Sequence, residues 1–424
     1  MFENLIAQPA GSLLADDIRS LRLPPSMLFY GQTASGKLTA ALETARVLSC
    51  INSDASWTCP CSSCSRHRLL SHPDLALVGS RDCTLEIQAA SEAFFRNRGQ
   101  ASRFLFIRSI RKLMLRFSQS VQDTDDSKFQ KCTPLLSDLE ERLEELGSDR
   151  SLPSDDAQFQ KMLEGIVSSA EKLEQDFLYD SIPVSVVRTV SSWARLTPAG
   201  KRKVVIIENA DRMQDAARNA FLKVLEEPPE NVVFILTTAR RGAILPTILS
   251  RVRTYAFIDR SLAHQHEVIR RVFHDEPDQD TTLTSWFNSF LPVSPEAIHR
   301  AACSFLETTL LAALDEGKKP LPGIRSVLDS ERGAGERSES IGSVTAIVSS
   351  LNKCKPALVW HLFLSRIARF MRMSLRSGAP DARETAIYAA WTALLRETLD
   401  SVDIYNISPA SALERLSHKM KEAL

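Results

Sequence analysis

The chain has 424 residues, 52 basic and 52 acidic, for a formal charge of zero. That balance excludes a polycation that holds nucleic acid by its overall charge and leaves room only for a local basic patch. The length predicts two or three domains with ample cores. No apolar run approaches the roughly 18 residues of a membrane span, and the N-terminus lacks a charged-then-apolar leader pattern. The expectation is a cytoplasmic protein without a membrane anchor, whose eight cysteines are thiols or metal ligands and not disulfides.

In chain order, a first helix is predicted with Leu13, Leu14, Ile18 and Leu21 on one side, ending before Pro24-Pro25. A short strand, Met27–Tyr30, then leads into GQTASGK, Gly31 to Lys37. This is G-x4-G-K between a strand and a helix (continued by Leu42, Ala45, Val47 and Leu48), the setting of a phosphate-cradling P-loop. Glycines such as Gly31 and Gly36 let backbone N–H groups converge on phosphate, and Lys37 reaches the outer phosphates. The residue after that lysine is ordinarily a Ser or Thr that holds Mg²⁺; here it is Leu38. Thr39 follows, but one step along a helix points roughly 100° away.

Cys50, Cys59, Cys61 and Cys64 come next, spaced C-x8-C-x-C-x2-C. Four thiolates so close together in a reducing compartment suit a closed, tetrahedral, structural Zn²⁺ site with no position left for catalysis. His67 and His72 are able to replace one ligand, and otherwise read as surface or helix-end histidines. Cys83, Cys132, Cys303 and Cys354 are scattered and read as small apolar residues.

Beyond them, Leu135, Leu139, Leu143 and Leu146 recur at steps of four or three. Phe159, Leu163, Ile166, Ala170, Leu173 and Phe177 do the same, and a third apolar helix is read through Phe104, Ile107, Met114 and Phe117. Over Lys203–Arg251, two apolar runs (Val204–Ile207 and Val232–Leu236) read as strands buried on both faces of a parallel, doubly wound sheet. A crossover helix lies between them on Ala217, Phe221, Val224 and Leu225, and Pro228-Pro229 stops it. The polar cluster Glu208-Asn209-Ala210-Asp211 ends the first strand at the carboxyl edge of the sheet, where ligands bind; an ordinary helix-start cluster is the plainer alternative. After Phe257 the chain reads as helical, through Leu262–Phe273, Pro295–Leu314, Trp360–Leu375, Thr385–Leu399 and Pro409–Met420, with Gly333–Gly342 as a linker. Phe363, Ile367 and Phe370 are expected in its core, and Arg366, Arg369, Arg372 and Arg376 on a solvent or partner face.

These features together resemble the AAA+ subunits of the bacterial DNA polymerase III clamp loader, the delta-prime type above all, with gamma/tau as near relatives. The resemblance is carried by FENLIAQ (Phe2–Gln8), the LPPSMLFYG lead-in, the P-loop, the four-cysteine insert, HPDL (72–75) and IPVSVVRTV (182–190). It continues through IIENADRM, NAFLKVLEEPPENVVFILTT, LPTILSR (245–251) and DIYNISPASALERL (403–416), over about three-quarters of the chain. It implies an α/β P-loop (AAA+) parallel-sheet domain (1–258) holding the zinc module (50–64). A small helical lid domain (259–330) and a C-terminal all-α collar domain (331–424) follow. Residues 81–180 have no counterpart in the family pattern, so the helical seams there read as an inserted hairpin or small bundle.

The resemblance also implies roles. The family binds zinc through C-x8-C-x2-C-x2-C, and here one residue is missing between the second and third cysteines. Arg251, in Ser250-Arg251-Val252, aligns with an arginine that reaches a neighbouring subunit's ATP, although the family's cysteine is Val252 here; a surface ion pair is its plainer role. Thr237 and Thr238 take the place of the first sensor, and no Gly-Arg second sensor stands out beyond residue 290. Glu208 replaces the metal-binding Asp and Asn209 the water-polarising neighbour, and an amide cannot take a proton. ATP/Mg²⁺ binding by this chain is therefore doubtful and hydrolysis is expected to be lost. The implied partners are gamma/tau, delta and, through the complex, the sliding clamp and primer-template DNA. A gamma/tau-type motor ATPase and a non-replicative zinc-containing scaffold are the two alternatives.

Overall fold

Five short strands make one parallel sheet: β1 (Ser26–Gly31), β2 (Leu75–Gly79), β3 (Lys203–Glu208), β4 (Val232–Thr238) and β5 (Arg253–Phe257), in the order β2-β3-β4-β1-β5. Helices cover both faces, which is why β3 and β4 are buried along their whole length and read as unbroken apolar runs. Along β3 the side chains alternate: Val204 and Ile206 join one core with Met27, Phe29 and Leu42, while Val205 and Ile207 join the other with Phe221, Val224 and Leu236. The computed structural model describes all residues except 53–54, 80–82, 124–125, 148–149, 180, 292, 332–355, 378–380 and 404–406. Cys354 and the Gly333–Gly342 segment lie outside the described residues, and the 403–416 motif lies partly outside them. The described chain divides into two units, Met1–Phe287 and Asn288–Leu424.

In the first unit, α1 (Pro9–Arg19) and α2 (Lys37–Ser49) lie on one face of the sheet, and α3 (Ser62–Arg68) follows the cysteine segment. The expected apolar side of the first helix is only half right. Leu14 is fully buried with Ala10 and Ala15, but Leu13 is 56% and Leu21 91% exposed, the latter already past the helix end. Between β2 and α8 (Val184–Ala194) stand α4 (Thr84–Arg96), α5 (Gln100–Met114), α6 (Ser127–Glu145) and α7 (Asp156–Phe177), built around a core of their own.

The two seams read from sequence meet in that core: Leu139, Leu143 and Leu146 face Phe159, Leu163, Ile166, Ala170 and Leu173. The third helix differs. Its buried line is Phe106, Ile110, Leu113 and Phe117, whereas Ile107 and Met114 are only partly covered, because the helix turns one position from the register expected. Asp126 and Asp155 cap α6 and α7 by accepting from the N–H groups of Lys128 and Gln158, both at 2.8 Å. The unit continues with α9 (Asp215–Glu226), α10 (Pro246–Leu249), α11 (Leu262–Val268), extended by a π turn to Phe273, and α12 (Leu283–Asn288). Trp286 packs on Phe273 at 4.7 Å.

The second unit consists, among the described residues, of α13 (Pro295–Asp315), α14 (Pro322–Glu331), α15 (Pro356–Ser377), α16 (Ala382–Asp403) and α17 (Pro409–Glu422). Phe363, Ile367 and Phe370 are fully buried, with Phe305 edge-on to Phe363 at 5.7 Å. Trp391 donates its indole N–H to the carbonyl of Met420 at 3.0 Å, tying α16 to α17. Arg369, Arg372 and Arg376 are exposed and Arg366 half-buried. No helix among the described residues is long and apolar enough to cross a membrane.

Candidate functional site: the P-loop edge and the cysteine module

At the carboxyl edge of β1 the backbone enters the loop through Gly31 and reaches α2 through Gly36, whose φ of 92° only glycine adopts without strain. A side chain at Gly36 would also strike the Arg260 guanidinium at 2.8 Å. Lys37 is buried and donates to the carbonyls of Gly31 (2.8 Å) and Gln32 (2.5 Å) and to the Ser35 hydroxyl (3.2 Å). Arg260, just past β5, donates to the carbonyls of Ala34 (2.7 Å) and Ile6 (2.9 Å) and so straps the loop to the N-terminal segment.

Leu38 is buried in the core beneath the loop with Met27, Phe29 and Leu42, so an apolar side chain fills the place of the Mg²⁺-holding hydroxyl; Thr39 is only half-buried. Glu208 ends β3, separated from β1 by β4. Its Oε2 accepts from the Arg116 guanidinium at 2.6 Å, and both residues are buried. Asn209 takes φ 52° and donates its N–H to the Thr237 hydroxyl at 3.4 Å. Thr238 donates to Asp211 at 2.7 Å, and Arg240 pairs with the other oxygen of that carboxylate at 2.8 Å. The loop, the end of β3 and the end of β4 thus share one edge, but the residues that would hold Mg²⁺ do not fit it. One is apolar and the other is paired to an arginine.

Arg251 stands elsewhere. It precedes β5, whose Arg253 is level with Met27, whereas the P-loop begins at Gly31, level with Phe257. Four strand steps, about 13 Å, separate these levels, so Arg251 lies at the amino edge of its own sheet. Its guanidinium is about one-third exposed and pairs with Glu226 of α9 at 2.7 Å, while also donating to the Thr247 carbonyl at 2.8 Å.

The cysteine module begins where α2 ends, with Cys50 as its C-cap. The four sulfurs of Cys50, Cys59, Cys61 and Cys64 lie within 4.8 Å of one another, with Cys50 to Cys59 at 3.7 Å and to Cys61 at 4.0 Å. A tetrahedral ion with metal–sulfur bonds of about 2.3 Å sets sulfur–sulfur distances near 3.8 Å, so the cluster can hold a metal ion. The short C-x-C step is absorbed because Cys61 caps α3 and Cys64 follows on its first turn, with the Cys64 N–H donating to the Cys61 sulfur at 3.4 Å.

Further donors surround the sulfurs: Asn52 to Cys59 at 3.4 Å and Arg46 to Cys64 at 3.1 Å. Burial pushes the Cys61 thiol up, but hydrogen bonds from the backbone of Cys64 and Ile51 outweigh it and bring it to about 6. Cys50 and Cys64 are pushed up, first by burial. Arg46 also pairs with Glu43 at 2.6 Å inside α2, both fully buried, and Glu43 accepts from the Phe2 N–H at 3.2 Å. Helix α2 therefore carries the P-loop lysine at its start and leads into the first thiol of the cysteine cluster at its C-cap. His67 and His72 stand outside the cluster and stack on each other at 4.0 Å.

A sequence model of the family described as DNA polymerase III, delta subunit, matches residues 7–133 and 142–261, more than half of the chain. The chain belongs to that family. Clamp-loader subunits of DNA polymerase III are accordingly its relatives. Over 145 residues it is 28% identical to the DNA polymerase III subunit delta' of Pseudomonas aeruginosa, a match covering 34% of this chain and 41% of that protein. The delta' subunit of Haemophilus influenzae is 37% identical over 75 residues (18% of this chain, 23% of that one). The gamma/tau subunit of Mycobacterium bovis is 44% identical over 55 residues (13% and 10%). These matches span less than half of each relative's length. A solved gamma subunit-related protein of Thermotoga maritima aligns over 96% of this chain and 98% of its own at 16% identity, with a TM-score of 0.36, too low to carry a statement about fold.

The partners of three arginines around these sites, Arg46, Arg116 and Arg260, escape sequence reading. Arg116 and Arg260 bond groups far away in the chain, and Arg46, besides its i,i+3 neighbour Glu43, reaches the Ser56 carbonyl and the Cys64 sulfur; an isolated arginine in sequence carries no signal of such partners.

Proposed function

We propose that this chain is a delta-prime-type subunit of the clamp loader, which supports ATP-driven loading of the sliding clamp on primer-template DNA and leaves hydrolysis to its neighbours. What carries the reading is the state of its own P-loop edge: Leu38 is committed to the core and Glu208 to Arg116, while Asn209 has no carboxylate with which to activate water. Arg251, exposed at the opposite edge of the sheet, is free to approach a partner once it exchanges Glu226 for a phosphate, a stronger bidentate acceptor. The module of Cys50, Cys59, Cys61 and Cys64 takes structural Zn²⁺, since four thiolates leave no open coordination position. The helices after β5 serve as lid (259–330) and collar (331–424), with gamma/tau and delta subunits as partners in the cytoplasm.

The test is ATP turnover by a reconstituted loader. Arg251→Ala lowers turnover at the site it serves, by a factor on the order of 10³, and leaves assembly intact, while Lys37→Ala in this chain changes the rate little. Equal losses from the two substitutions would favour the gamma/tau-type motor, to which the 55-residue match at 44% identity also points.

A further inference from the structure

Helix α15 of the second unit carries a row of positive charge that the fold does not use. Its inner face is fixed. Phe363, Ile367 and Phe370 are fully buried, Met371 is buried beside them, and the Ser374 hydroxyl lies 2.8 Å from that of Tyr388 on α16. The opposite face follows from that choice: the exposed positions of α15 among the described residues are Ser365, Arg369, Arg372 and Arg376. At 100° and about 1.5 Å per residue, the three arginines fall within about 60° of arc along about 10 Å of helix.

These charges are uncompensated. None of the 22 residues of α15 is acidic, and among the described residues Arg369, Arg372 and Arg376 make no ion pair or hydrogen bond. Arg366 differs, because the charges of Glu331 and Glu296 act on it from α14 and α13. Arg103, Arg108 and Arg111 of α5, by contrast, each bond a carbonyl. Arg366–Arg369, Arg369–Arg372 and Arg372–Arg376 are neighbours at i,i+3 or i,i+4, so the row repels itself along its length. A face that served only solubility would intersperse acids, as Asp138 and Arg142 do on α6.

We propose that the row Arg369-Arg372-Arg376 is a contact surface for the phosphate backbone of nucleic acid. A protein interface is built on aromatic or apolar anchors with charges at its rim, and this face exposes no apolar side chain. For the same reason it has nothing to sink into a bilayer. A guanidinium fork meets two phosphate oxygens at once, and a DNA strand rises about 3.4 Å per phosphate, so the row spans three or four phosphates. With zero formal charge on the whole chain, attraction to DNA must come from such a local row. The inference goes beyond the delta-prime reading, in which DNA is met through the complex, and concerns the isolated chain whether or not that reading holds.

The experiment uses the full-length purified chain and a short fluorescent DNA duplex of mixed sequence, with binding read by anisotropy between about 50 and 200 mM salt. Wild type is compared with the triple variant Arg369→Ala, Arg372→Ala, Arg376→Ala and with the triple Arg→Lys variant at the same positions. The alanine variant binds at least about tenfold more weakly at the low-salt end, and its slope of log affinity against log salt is shallower by about 2 to 3, one lost phosphate contact for each arginine. Its urea midpoint is no lower than that of wild type, because self-repulsion is relieved and alanine favours helix. The lysine variant keeps the wild-type slope. Should the alanine triple fail to fold, Arg372→Ala alone carries the reading, with a slope shallower by about 1. The proposal is overturned if wild type does not bind the duplex, if the alanine variant keeps the wild-type affinity and slope, or if the lysine variant loses the slope as well. It is equally overturned if polyglutamate or vesicles of anionic lipid, and not DNA, are bound through these arginines.

Discussion

At the scale of single residues, the P-loop half of the molecule depends on buried charges that are paired and on one buried base that is not. Arg46 is held charged because its bonds to Glu43 outweigh burial, and its remaining N–H groups go to the carbonyls of Ala55 and Ser56 and the sulfur of Cys64. His67 is the opposite case. It is 2% exposed, and neither ring nitrogen has a hydrogen-bond partner among the described residues. Burial first, then the charges of His72, Arg108 and Arg46, drive its pKa from 6.5 to about 2. The unfolded chain binds a proton here below 6.5 that the folded chain refuses, so stability falls as pH drops from 6.5 toward 2. At pH 5 that loss is about 2 kcal/mol. His67→Phe keeps a ring to stack on His72 and removes the titration. Its stability relative to wild type is expected to improve by about 2 kcal/mol between pH 7.5 and pH 5 in chemical denaturation; a pH-independent difference would mean that His67 is protonated in the fold.

Among the elements, α5 touches several separate parts of the first unit. Arg108 donates to the carbonyls of His67 and Arg68, and Arg111 to that of Leu69 at 3.3 Å, which supplies cations to the C-terminal end of α3. Lys112 pairs with Glu86 of α4, and the turn after α5 carries Arg116 to Glu208. Helix α5 and the turn after it thus brace the cysteine module as well as the sheet edge. Protein purified without chelator is expected to carry one Zn²⁺ per chain by elemental analysis. Arg108→Ala is expected to keep that stoichiometry and release the ion several-fold faster to a chelating dye, because α3 carries the Cys64 ligand. Unchanged release would show that α3 holds its position without α5. The seams of α6 and α7 are legible in sequence because large apolar residues mark them at heptad spacing. Helix α4 escapes notice because much of its buried face is alanine (Ala89, Ala90 and Ala93), which contributes little to an apolar pattern.

For the molecule as a whole, the proposed function would divide its chemistry between the two edges of the sheet. The carboxyl edge has the outline of a nucleotide site, and the amino edge carries Arg251. Restoring a hydroxyl by Leu38→Thr is expected to leave ATP turnover of the isolated chain at background, because Glu208 stays paired and Asn209 offers no base; measurable turnover would show that the hydroxyl alone was missing. The strands β1, β3 and β4 with the crossover helix between the last two, the P-loop, the cysteine cluster and the two seams of α6 and α7 were determined by sequence alone. They depend on local periodicity, on glycine and proline, and on residue types spaced within one turn or loop. What only the tertiary structure decided is the set of long-range charge partners: Arg116 on Glu208, 92 residues apart, Arg260 on the P-loop carbonyls, and Arg108 on the end of α3. A guanidinium is compatible with solvent, with any carbonyl and with any carboxylate, so its sequence neighbours do not specify its partner; the packing of the surrounding elements, as of α5 and its turn against β2 and the cysteine module, does.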